Sequence, residues 1–109
     1  TRVPKVADYL KGVINLRGEV IPVMSIRLKM ELEEEEYTKN TRIIILKVDG
    51  CETTGIIVDQ VKEVVTLDET QIEKVSYDMK DDKVNYVAGI GKHEDELISL
   101  LDLNTVLAE

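Results

Sequence analysis

Few side chains in this sequence are spaced to do chemistry, and the most conspicuous is an arginine. Arg17 stands in Gly12-Val-Ile-Asn-Leu-Arg-Gly-Glu-Val-Ile-Pro-Val-Met-Ser-Ile26, between apolar runs at 13–16 and 20–26. Gly18 can take the positive φ of a tight hairpin turn, so the pattern puts one guanidinium at an exposed tip. A planar, permanently charged fork suits bidentate bonding to a carboxylate on a partner, which a lysine ammonium does not copy. Two other roles stay open for Arg17: a solvated turn residue, or a buried ion-pair partner. Asn15 reads as a turn residue whose amide satisfies nearby backbone groups.

The remaining polar groups do not converge on a reaction. His93 sits in Lys92-His-Glu-Asp95, and one imidazole without further ligands is not a metal site. Cys51 follows a turn with no His or cationic partner beside it in sequence, so nothing activates its thiol. Ser25, Ser76 and Ser99 lie in no nucleophile-elbow pattern, and no glycine-rich phosphate loop is present. The acidic run at 31–37 lacks the alternating oxygen ligands and glycine of a calcium loop, so it reads as a solvated linker. Asp59 and Asp102 read as caps at strand ends, and Met24 and Met30 as core fillers. A small hydrolase or metal-dependent enzyme needs convergent polar groups that are not here; we expect no catalysis, metal or cofactor.

The elements that hold these residues are built from branched aliphatics. Of 109 residues 43% are hydrophobic and 4% aromatic, with no Phe or Trp, so Val, Ile and Leu must form the core and favour strands. The length fits one domain, or two very small subdomains sharing a core. A net charge of −8 without a basic cluster disfavours nucleic acid and anionic membrane surfaces as partners. No stretch is long enough to span a bilayer, and a lone cysteine suits a reducing compartment, so we expect a cytoplasmic protein.

Along the chain, residues 4–11 read as a short helix, with Pro4 in its first turn and Gly12 as a left-handed cap. The hairpin follows. Its second run is apolar on both parities, which predicts burial between two packed layers, and one helical turn at 27–30 continues it. Residues 42–48 form a strand ended by Asp49-Gly50, and a second strand spans 53–66 with an interruption at Asp59-Gln60. Gly55 inside it marks a bulge or a close backbone approach. A helical turn capped by Asp68, a loop at 76–83, a hairpin from 86–90 and 97–101, and a helix capped by Asp102 complete the chain.

An internal repeat runs through this order. Residues 12–26 lie over 89–103 without a gap: Gly12 over Gly89, Glu19 over Glu96, Val20-Ile21 over Leu97-Ile98, Val23-Met24 over Leu100-Leu101. Two long strands precede the second copy but not the first. If the halves are equivalent, the first lacks two leading strands; either residues upstream of this chain or another chain supplies them, and we expect the former.

The segment from Gly12 to Val23 resembles the hallmark hairpin of the CheW-like domain of bacterial chemotaxis. The likeness continues at Gly55-Ile-Ile-Val-Asp59, Val61, Val64-Val65, Gly89-Ile90 and Leu97-Ile98-Ser99-Leu100-Leu101-Asp102, and so covers nearly the whole chain. Ser25 replaces an acidic residue usual at its place, which weakens the expected helical turn after it.

The resemblance implies an all-β fold of two SH3-like β-barrels packed on a shared hydrophobic core, with short helices. The first barrel, 1–30 with closing elements 97–109, would be incomplete here, and 41–96 would form the second. It also implies a non-enzymatic adaptor coupling transmembrane chemoreceptors to a histidine autokinase. The partners would be the cytoplasmic tip of the receptors and the regulatory domain of the kinase. By position, Gly12, Asn15, Arg17 and Gly18 would form one binding site. A kinase-facing surface would lie around Ile43, Ile45 and Gly55 to Asp59. The same motif also occurs in regulatory modules of longer chains, whether fused to a receiver or within the kinase itself.

Overall fold

The computed structural model describes residues 8–34, 36–74 and 86–108. The chain divides into two compact units, Thr1–Lys62 and Glu63–Glu109. The first contains strands β1 (Leu10–Leu16), β2 (Glu19–Ser25), β3 (Arg42–Leu46) and β4 (Thr54–Val58), with the one-turn helix α1 (Ile26–Lys29) after β2. The second contains a 3-10 turn (Glu69–Gln71), strands β5 (Ile72–Lys74), β6 (Val87–His93) and β7 (Glu96–Leu101), and helix α2 (Leu103–Leu107). The fold is all-β with short helices.

In the first unit the strands run β1-β2-β4-β3; β1 pairs antiparallel with β2, β3 antiparallel with β4, and β2 parallel with β4. The two central strands carry the core: Ile21, Val23 and Met24 from β2, with Ile56 and Ile57 from β4, are all buried. At about 1.5–3 kcal/mol for each such side chain withdrawn from water, this is the main favourable term of the unit. Burial of β2 on both faces holds from Val23 to Ser25, as the doubled apolar parity predicts, but it does not extend to the whole hairpin. β1 is a sheet edge and largely exposed, Val13 at 66% and Val20 opposite Asn15 at 63%.

The strand pairing groups β3 and β4 with β1 and β2, and β7 with β6.

The second sheet, β5-β6-β7, reproduces the first hairpin. In the repeat alignment β6 matches β1 residue for residue, and the register slips at the same place, between Leu10 and Gly12 and between Val87 and Gly89. Both two-residue turns are left-handed: Arg17 (φ 53°) and Gly18 (φ 81°), Glu94 (φ 46°) and Asp95 (φ 66°). The Ser25 amide donates to the Tyr9 carbonyl at 2.7 Å, and the Asp102 amide to the Tyr86 carbonyl at 2.8 Å. Each strand then ends on a residue that caps a short helix, Ser25 for α1 and Asp102 for α2. The repeat is therefore structural.

Several local expectations are corrected. Leu10 and Lys11 belong to β1 and not to a helix, and Gly12 (φ 149°) sits at the register shift within that strand instead of capping; Pro4 and Val6 lie outside the described residues. The strand beginning near Thr54 stops at Val58. Residues 60–68 are irregular, and Val64 is 94% exposed. Among the described residues the alternating stretch pairs with no strand, and Val65 is only half-buried. The loop expected at 76–83 also lies outside the described residues. By contrast, Asp68 caps the 3-10 turn, accepting from the Thr70 amide at 2.9 Å. The Thr70 hydroxyl, and after it the Thr70 amide, donate to this carboxylate and hold it below its ordinary pKa.

Gly55 shows why a glycine stands inside a buried strand. Ile43 and Ile45 of β3 and Val23 of β2 close over it, and a Cβ there would stand 2.9 Å from Ile43 Cγ2. Gly55→Ala should therefore lower unfolding free energy by about 1–3 kcal/mol, against the gain usual when a strand glycine gains a side chain. Urea denaturation of the two proteins measures the difference.

Candidate functional site

The β1–β2 hairpin builds one candidate site from its turn upward. Asn15, near the end of β1, accepts a hydrogen bond from the Gly18 amide through Oδ1 at 3.2 Å, closing the turn as its residue type predicts. Both central turn residues need positive φ, a geometry that favours Asn-Gly or Asp-Gly. Gly18 meets that need freely, whereas Arg17 adopts φ 53° with a full side chain. Left-handed backbone costs a non-glycine residue on the order of 1 kcal/mol. Arg17 is exposed, and its guanidinium has no ion-pair or hydrogen-bond partner among the described residues. The ion-pair alternative is thereby set aside.

Beside the turn lies an open cavity of about 310 Å³, lined by Leu16, Arg17, Gly18, Glu19, Ile21 and Lys47. Two cations and one carboxylate rim an aliphatic floor, a local excess of positive charge on a chain of net charge −8. Such a corner suits an acidic side chain presented next to an apolar one. Lys47 was not foreseen. It follows β3, and the topology that brings it to the Arg17 turn leaves no short-range signal in sequence.

The second group of predicted residues sits elsewhere in the same unit. β1 and β3 are opposite edges of the sheet, so the structure does not bring Arg17 together with Ile43 and Ile45. Ile43 is 44% exposed and helps line an apolar groove of about 440 Å³ with Tyr37, Thr41, Arg42 and Ile57. Ile45 is half-buried, and Gly55 is buried beneath both. Tyr37 and Thr41, reached by the chain before β3, were also missed.

Asp59 caps no helix, and its exposed side chain pairs with Arg27. Arg27 of α1 donates from Nε to Asp59 Oδ1 at 3.0 Å and from Nη2 to Oδ2, so both carboxylate oxygens are engaged. The Ser25 hydroxyl accepts from the Leu28 amide at 3.2 Å, so the helical turn forms without the usual acid. Lys29, buried in the same turn, lies 4.3 Å from the centre of the Tyr9 ring, a cation–π contact.

His93 Nε2 lies 3.9 Å from Glu94 Oε2, Cys51 is a free thiol, and no group of three or more metal-ligating side chains occurs among the described residues.

Comparison with known proteins bears on all of these surfaces. The family described as "CheW-like domain" matches residues 1–109. Chemotaxis protein CheW of Bacillus subtilis (strain 168) is 42% identical over 107 residues, covering 98% of this chain and 68% of that protein. Chemotaxis protein CheW of Helicobacter pylori is 36% identical over 107 residues, covering 98% of this chain and 64% of that protein. The crystal structure of scaffolding protein TtCheW from Thermoanaerobacter tengcongensis superposes with a TM-score of 0.80 at 34% identity, over 97% of this chain and 71% of that one. The chain thus spans roughly two-thirds of the length of these relatives, 64% to 71%.

Two measurements check the geometry. Arg17→Asn places a residue tolerant of left-handed backbone in the turn and should keep or raise stability, by up to about 1 kcal/mol in urea denaturation. The hydrogen bonds from Arg27, helped by its charge, hold the Asp59 carboxyl below the ordinary aspartate value. A depressed folded-state pKa stabilises above the unfolded value and is lost as pH falls through the folded one. In Arg27→Ala, NMR titration should find the Asp59 midpoint higher than in the wild-type chain.

Proposed function

This chain belongs to the CheW-like domain family, and from that premise we propose that it is a non-enzymatic adaptor of bacterial chemotaxis. It couples transmembrane chemoreceptors to a histidine autokinase by binding the cytoplasmic tip of the receptors and the regulatory domain of the kinase. The relatives named as chemotaxis proteins and the solved relative titled a scaffolding protein support this role. It works in the cytoplasm, recruited to receptor arrays at the inner membrane face without inserting. No helix among the described residues is long and apolar enough to cross a membrane.

The observation that carries the reading is the Arg17 tip. A solvent-facing guanidinium occupies a backbone conformation better suited to asparagine or glycine, beside exposed Val20 and the Lys47 cavity. A left-handed backbone kept at an exposed cation supports a binding role for this turn over that of a merely solvated one. We assign Gly12, Asn15, Arg17 and Gly18 to receptor engagement. Gly12 and Gly18 shape the hairpin, Asn15 locks its turn, and Arg17 offers the fork to a carboxylate on a partner helix. The face made by Ile43, Ile45 and Gly55 is assigned to the kinase regulatory domain. Its support is the apolar groove at an open sheet edge.

A charge-assisted hydrogen bond contributes about 1.5–3 kcal/mol, so losing it weakens binding by roughly one to two orders of magnitude. Arg17→Glu should weaken formation of the receptor–adaptor–kinase complex by at least about tenfold, with circular dichroism and unfolding midpoint unchanged. Complex formation undiminished in a normally folded Arg17→Glu protein would remove Arg17 from the site.

A further inference from the structure

The first unit consists of two antiparallel hairpins, β1–β2 and β3–β4, that meet along a short parallel ladder. Val23, Met24 and Ser25 of β2 pair there with Gly55, Ile56 and Ile57 of β4. Parallel pairing is slightly weaker per residue than antiparallel, and this ladder is three residue pairs long. Just past it, the chain beyond β2 sends Arg27 across to Asp59, just beyond β4. We infer that Arg27 and Asp59 form a clasp across the parallel junction, and that Asp59 is a positioning residue for the β3–β4 face, acting through Arg27 instead of touching a partner.

Three observations support this. Both Asp59 oxygens are already bonded to one guanidinium, in the two-point geometry that distinguishes a useful surface pair from a passing one. Helix α1 has four residues and cannot persist unaided. Its cap residue Ser25 bonds to Tyr9 and its Lys29 covers the Tyr9 ring, which ties it toward β1, while Arg27 ties it to the end of β4. Finally, the clasp is absent from the repeated frame. The second copy keeps the strand pair, the turn, the cap and the bond to a tyrosine carbonyl, but Asn104 stands where Arg27 stands in the first.

This role rests on the assignment of Ile43, Ile45 and Gly55 to the kinase-binding face. The test compares the wild-type chain with Arg27→Gln, Arg27→Lys, Asp59→Asn, the double variant Arg27→Gln/Asp59→Asn and the swap Arg27→Asp/Asp59→Arg. Calorimetry, well below the unfolding midpoint, measures binding to the kinase regulatory domain and to a receptor cytoplasmic fragment. Arg27→Gln and Asp59→Asn should each weaken kinase-domain binding about three- to tenfold. The double variant should be no worse than either, Arg27→Lys should be intermediate, and the swap should recover most of the loss. Receptor binding should stay at its wild-type value throughout. A lowered unfolding midpoint with unchanged kinase affinity would make the pair merely structural and overturn the proposal. A loss confined to Asp59→Asn, without recovery in the swap, would make Asp59 a direct contact and overturn it as well. A wild-type chain that binds neither partner would refute the adaptor role itself, and the positioning role with it.

Discussion

Parallel strands cannot be joined by a tight turn, so pairing β2 with β4 obliges the chain to leave the sheet after Ser25 and return from the far side. Helix α1, the acidic segment after it, and the β3–β4 hairpin fill that excursion. The pairing decides what is buried. Val23, Met24, Ile56 and Ile57 become interior because each has a sheet neighbour on its far side, while β1 and β3 become edges. Exposure of Val13 and Ile43, the opening of the groove and the freedom of the Arg17 turn all follow from that order.

The two candidate surfaces differ in the physics that would make them bind. At the hairpin tip, charge dominates: Arg17 and Lys47 form a small positive corner on an acidic protein, which orients a carboxylate-bearing partner more than it adds affinity. At the β3 edge the groove is mainly aliphatic, and affinity there would come from excluding water from Tyr37, Ile43 and Ile57. An adaptor that must hold two different partners gains from such a contrast, because neither surface competes for the other's ligand.

Much of this was legible in residue order. Alternating branched aliphatics announced strands, Arg17-Gly18 announced the tight turn, Asp68 and Asp102 announced caps, and the repeat announced that the second hairpin copies the first. What failed was tertiary. Residues 61–66 alternate like a strand but find no partner, and residues 10–11, periodic enough for a helix, are claimed by β2 as a strand. Ser25 did the work of the missing acid, because a hydroxyl serves as a cap nearly as well as a carboxylate. Lys47 joined its site through long-range topology, Tyr37 and Thr41 lie on the segment that leads into β3, and Asp59 was engaged by Arg27, a residue far from it in sequence.

Amide hydrogen exchange of the native chain probes the central seam most directly. If the β2–β4 ladder organises the first unit, the amides that hydrogen-bond between β2 and β4 exchange last, close to the rate set by global unfolding, while those on the outer edge of β1 exchange orders of magnitude sooner. Ladder amides that exchange as fast as that edge would show that the two hairpins come apart without unfolding, and the account built on their pairing would be wrong.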